Sequence, residues 1–128
     1  MKVLSIKEPF ASLIMIGVKQ IETRSFKTNY RGELYIHASL GTHKITSESR
    51  ILNLTDMNNL NNGFIICKCN IVDCICMDQE FIENVKKNNP DEYICGDYSV
   101  GRYAWILSDV EVLKKRIPAK GKLGIWNL

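Results

Sequence analysis

Glu33-Leu34-Tyr35-Ile36-His37-Ala38-Ser39 alternates between apolar and polar side chains, and no other stretch limits the possible folds as much. A period of two gives one buried face only in an extended strand, with Leu34, Ile36 and Ala38 inward and Tyr35, His37 and Ser39 outward. Comparable signals predict strands over residues 1–6, 20–26, 64–77, 102–113 and 122–128. Helices are fewer. Glu8-Pro9 opens one, because proline is favoured where a helix begins, and Phe10, Leu13 and Ile14 recur at helical spacing before Gly17 stops it. Phe10 and Leu13 are expected to pack against the sheet. Asp78 caps a second helix that runs to about Lys87 and ends at Asn88-Asn89-Pro90. Thr42 to Leu54 reads as a third, anchored by Ile45, Ile51 and Leu54, whereas Asp56–Gly63 and Asp91–Gly101 read as loops. Many strands with two or three inserted helices predict a barrel-like α+β domain over residues 1–128.

A chain of 128 residues can bury a core without disulfide or metal staples. No apolar run approaches the roughly 18 residues of a membrane span, so no membrane partner is expected. The first residues read as a strand rather than a signal peptide, which predicts a cytoplasmic protein. The net charge of +3 permits a polyanionic partner without demanding one. Five cysteines, an odd number, argue against a secreted disulfide framework. Cys67, Cys69, Cys74 and Cys76 form two C-x-C pairs, but in a strand such a pair only puts two small apolar side chains on one face. Zinc knuckles converge through a turn. These four thiols are therefore expected to be reduced and mostly buried, with no metal and no cofactor.

Chemistry concentrates in Gly17-Val18-Lys19-Gln20-Ile21-Glu22-Thr23-Arg24, directly after the first helix. With Ile21 in the core, Glu22 and Arg24 share the opposite, accessible face, and Lys19 stands at the mouth of the strand, able to swing toward them. The cluster can hold a phosphate, meet a base edge, transfer a proton, or simply form ion pairs. Arg31, Arg102 and Tyr103 supply guanidinium and aromatic surfaces of the kind that hold single-stranded RNA. His37 lies on the polar face of its strand, where a hydrogen-bonded role competes with acid–base catalysis. His43 reads as surface, and Trp105 and Trp126 read as core.

Four blocks carry a resemblance. Leu4-Ser5-Ile6-Lys7-Glu8-Pro9-Phe10-Ala11, the G-x-K-x-x-E-x-R segment at 17–24, Tyr30–Ser39, and Gly101–Leu107 with Ile117–Trp126 together resemble the ASCH domain, in order along the chain. The resemblance implies a PUA-like β-barrel of about six strands with two or three flanking helices. It also implies binding of single-stranded RNA or a nucleotide in a cleft between the first helix and the barrel through the motif residues Lys19, Glu22 and Arg24, to which Arg31, Arg102 and Tyr103 are added as nucleic-acid-binding candidates. A second implied reading is a hydrolase of RNA or a modified nucleoside, either a ribonuclease or resembling an N4-acetylcytidine amidohydrolase, with Lys19 and Glu22 catalytic. Against it, Glu22 occupies the position of that enzyme's threonine nucleophile, and Thr23, one residue along, faces the other way. A third reading is a protein-interaction adaptor.

Overall fold

The computed structural model describes residues 1–128. In chain order the elements are β1 (Lys2–Glu8), α1 (Phe10–Met15), β2 (Ile21–Arg24), β3 (Gly32–Thr42), a 3-10 turn (Arg50–Asn53), β4 (Phe64–Cys76), α2 (Gln79–Asn88), α3 (Pro90–Ile94), β5 (Tyr103–Pro118) and β6 (Ile125–Asn127). The strands form a six-stranded sheet in the order β2-β5-β4-β3-β1-β6. Only β1 and β3 are parallel, with Leu4 opposite Ile36 and Ser5 opposite His37. A parallel pair needs a long crossover, and here α1 and β2 supply it. The end strands β2 and β6 do not pair, yet the sheet curls so far that Arg24 on β2 reaches the Ser5 carbonyl on β1 at 3.1 Å. This is an α+β fold of the PUA-like kind, with six strands and three helices.

The inward face of β3 behaves as its alternation requires. Leu34, Ile36 and Ala38 are fully buried and join Leu4, Ile6, Ile71 and Trp105 in the main core. Helix α1 packs against β1, β3, β4 and β5. It does so through Ala11 and Ile14, while Phe10 is half-buried against the same cluster. Leu13 departs from the expected packing: it faces Ile51 and Cys95, on the side away from the sheet. Gly17 takes φ 86°, a left-handed geometry that glycine adopts without strain. The amides of Val18 and Lys19 then both donate to the Leu13 carbonyl, which fixes where Lys19 enters the fold.

Two predicted segments differ. Residues 42–54 contain no α-helix: β3 continues to Thr42 and only Arg50–Asn53 forms a 3-10 turn. Thr42, Thr46, Ser47 and Ser49 offer local hydrogen bonds that compete with a helix, and Ser49 does so by accepting from the Ile51 amide at 3.2 Å. The second difference is α3 at Pro90–Ile94, where a loop was expected. Asn89 accepts from the Glu92 amide and Pro90 occupies the first turn, so the Asn-Pro signal that ends α2 also starts a helix. No helix is long and apolar enough to cross a membrane.

The cysteine-rich strand β4 pairs with both β3 and β5, and its register against β5 slips at three points, the last between Ile71 and Asp73. Cys67, Cys69 and Ile71 lie in the core before that slip. After it Cys74 packs half-buried against the same cluster and Cys76 is exposed. The expectation that all four thiols are mostly buried thus fails for Cys76: the last slip turns Cys74 and Cys76 toward the core face, but Cys76 is the final residue of β4 and stays exposed. All five cysteines are unpaired. Burial pushes the thiols of Cys67 and Cys69 up to about 12 and that of Cys95 up to about 11. Alkylation of the folded protein followed by mass spectrometry should modify Cys76 first, Cys74 more slowly and the other three only on unfolding. Equal labelling of Cys67 and Cys76 would contradict this packing. The same shifts fix a pH dependence. Unfolded thiols ionise near 9.0 while the buried ones hold their protons, so stability is full below pH 9 and falls as pH rises from there toward 12.

Candidate nucleic-acid interface

A cleft of about 1030 Å³ opens where the two margins of the curled sheet face each other. One wall is β2 and the segment after α3; the other is the 120–124 segment. Ser5 and Lys7 of β1 contribute from the strand between them, and Phe10 and residues 43–46 close the top. Lys7, Arg24, Lys44, Arg102, Lys120 and Lys122 line it, against two carboxylates, Glu22 and Asp97. The lining therefore carries a formal +4, more than the +3 of the whole chain, so the remaining surface is close to neutral. Concentrating one sign of charge in a concave, partly apolar site raises the local potential for anions.

The centre of the motif is more enclosed than its spacing indicates. Lys19 does not stand at the mouth of β2; it is only 1% exposed. Its Nζ donates to the Ile21 carbonyl at 2.6 Å and to the Cys95 carbonyl at 2.7 Å, and lies 3.5 Å from Glu22 Oε1. The ammonium is thus directed inward, on two carbonyls and beside one carboxylate. Lys19 lies behind the cleft wall and joins β2 to the segment after α3. Glu22 is also nearly buried, at 7%, rather than on an accessible face. Its Oε2 accepts from both Nε and Nη2 of Arg24, at 3.0 and 2.8 Å. The carboxylate is thereby oriented between two cations, at the edge of the cleft. Arg24 rests beside the Trp105 ring, 5.8 Å from its centroid.

Arg102 joins this wall by donating to the carbonyls of Asp97 and Thr23. Thr23 alternates with Glu22 and Arg24 along β2 but also lines the cleft, and its hydroxyl accepts from the Asp97 amide at 3.0 Å. Arg31 lies elsewhere, bonded to the carbonyls of Thr28 and Tyr30 and 3.7 Å from Asp73. Tyr103 is packed against the main core and does not line the cleft. Of the six residues singled out in the sequence, the fold brings Glu22, Arg24 and Arg102 to the cleft, buries Lys19 behind it, and leaves Arg31 and Tyr103 outside.

The cleft also holds residues that sequence reasoning passed over. Lys120 and Lys122 flank Gly121 within the C-terminal block that carries the resemblance, and their alternation around a glycine was the available signal. Lys44 had none. His43, expected at the surface, is exposed but stands beside Phe10 with ring centroids 5.4 Å apart, so it forms part of the cleft's rim. Behind the wall, Glu92 accepts from the Gln20 amide at 2.6 Å through Oε1, while its Oε2 has no partner. Burial raises its carboxyl, against the opposing pull of that amide and of Lys19. No three His, Cys, Asp or Glu side chains converge as a bound metal would require.

A curled six-stranded sheet with its first helix packed on the core and a basic cleft at its open side defines a PUA-like domain. The sequence model of the ASCH domain matches residues 4–116, and the chain belongs to that family. It is similar to activating signal cointegrator 1 of Homo sapiens, with 27% identity over 134 aligned residues that cover 98% of this chain and 22% of the human protein. The Mus musculus protein of the same name is 26% identical with the same coverage. The chain thus spans about a fifth of the length of these curated relatives.

Proposed function

We propose that this domain binds RNA, as a single-stranded segment or a nucleotide, in the basic cleft. The observation that carries this reading is the gathering of six cations against two carboxylates in one concave site. Phosphates would meet Arg24, Arg102, Lys120 and Lys122, contacts that position a strand without reading its sequence. Glu22, held by Lys19 and Arg24, offers an oriented acceptor of the kind that meets an exocyclic amine on a base edge. Phe10 and His43, with the exposed Leu40 and Leu123, give bases an aromatic and apolar surface to rest on. Membership of a family with a PUA-like fold supports the same ligand class. The five unpaired thiols fit a reducing compartment such as the cytoplasm.

The hydrolase reading gains nothing from this arrangement. The lysine of the motif is buried, with two donors on backbone carbonyls and its charge beside Glu22, and the Thr23 hydroxyl already accepts from the Asp97 amide. The test of the binding reading is titration of the protein into a labelled single-stranded RNA at increasing salt, where the affinity should fall steadily. Absence of RNA binding at low salt would favour the adaptor.

A further inference from the structure

Lys120 and Lys122 lie on a segment without regular structure between β5 and β6. Long, flexible side chains on such a segment hold a phosphate only if the backbone beneath them is fixed. Three contacts to β1 and β3 fix it and the start of β6. His37 Nε2 stands 2.8 Å from the Ala119 carbonyl. A carbonyl only accepts, so Nε2 carries the proton, and in the neutral ring Nδ1 is left as the acceptor. Ser5 Oγ lies 2.9 Å from that Nδ1 and donates to it. The indole N–H of Trp126 in β6 donates to the same Ser5 oxygen at 3.0 Å. Between these two anchors Gly121 is pressed against the pair: a Cβ there would come within 2.9 Å of Ser5 Oγ and 3.0 Å of His37 Cε1. Lys122 in turn lies over the Trp126 ring, 5.8 Å from its centroid.

Ser5 also fastens the opposite wall, since its carbonyl accepts from Arg24 Nη2 at 3.1 Å. One residue of β1 therefore ties down both basic margins of the cleft, one through its hydroxyl and the other through its backbone. Although Ser5 and His37 stand side by side, the pair is not arranged as a nucleophile and its base. His37 is 1% exposed with both ring nitrogens engaged, and the Trp126 N–H occupies a lone pair of the serine oxygen.

We propose that Ser5 and His37 are positioning residues: they latch the 119–126 segment so that Lys120 and Lys122 are held across the cleft from Arg24. The ligand side of this proposal rests on the RNA-binding reading; the latch itself does not. Ser5→Ala removes the hydroxyl and keeps the carbonyl that holds Arg24. In the protein without RNA, this variant should speed amide hydrogen exchange about tenfold over residues 119–126, the order expected for a lost net hydrogen bond, and leave β3 and β4 unchanged. Gly121→Ala, which lifts the segment by steric contact, should do the same and provides a second route if Ser5→Ala folds poorly.

With a short single-stranded RNA of mixed sequence as the probe, the Lys120→Ala, Lys122→Ala pair should weaken binding to the parent strongly. The same pair should weaken binding to Ser5→Ala much less, because the lysines there are already displaced. A purely structural serine would give additive losses. Additive losses, or unchanged exchange over 119–126 in both variants, would overturn the latch. If the parent fails to bind RNA, the ligand reading falls and the exchange measurement alone decides the latch.

Discussion

Lys19→Ala should lower the stability of the fold by about 3–5 kcal/mol, the range for breaking a buried, hydrogen-bonded charge pair by removing one partner. The reason is geometric. The ammonium is enclosed, donates to a carbonyl of β2 and to one of the segment after α3, and stands against Glu22. Truncation leaves two carbonyls unpaired, takes one of two neighbouring cations from Glu22, and removes the cation that favours ionisation of the buried Glu92. For a domain of this size the loss corresponds to a fall in melting temperature of roughly 10–20 °C. Lys19→Met fills most of the volume but restores no charge, so it should be nearly as destabilising. Thermal and denaturant unfolding of the two variants checks this. A Lys19→Ala protein that melts with the parent but no longer binds RNA would mean that the lysine reaches the ligand after all.

Arg24→Ala carries the largest expected effect on binding. Arg24 is partly exposed at the cleft, orients Glu22 through a forked contact and crosses to the Ser5 carbonyl. Losing a charge-assisted contact of this type costs about 1.5–3 kcal/mol, so affinity for single-stranded RNA should fall roughly ten- to a hundredfold. Arg31→Ala provides the internal control. Its guanidinium lies outside the cleft, bonded to neighbouring carbonyls, and its removal should leave affinity within about twofold of the parent. Equal losses from the two substitutions would place the ligand elsewhere.

These two expectations separate what the sequence carries from what only the fold supplies. The alternation around Leu34, Ile36 and Ala38 encodes a strand with one buried face because both signals are local, and the core uses those residues. Glu22 and Arg24 meet for the same reason: they are two apart on one strand. Lys19 was misplaced because one of its acceptors, the Cys95 carbonyl, is 76 positions away along the chain, and no local pattern announces such a partner. Lys120 and Lys122 face Arg24 only because β6 closes on β1 and brings the end of the chain beside its start. Cys76 is exposed because β4 ends there, and the sequence pattern does not mark how far the core reaches along that strand. In the 42–54 segment, weakly spaced apolar residues resembled a helix face, but Ser49 bonds its own backbone there and only one 3-10 turn forms.

The most direct test of the central claim is the salt dependence of RNA binding. A single strand that neutralises positive side chains releases counterions, and log affinity falls against log salt with a slope of about −0.7 for each phosphate contact. Engagement of most of the six cleft cations predicts a slope between about −3 and −4 for the parent. Replacing Lys44, Lys120 and Lys122 together by alanine should bring the slope closer to zero by about 2. A slope near zero, or one that the triple replacement leaves unchanged, would contradict an RNA site in this cleft.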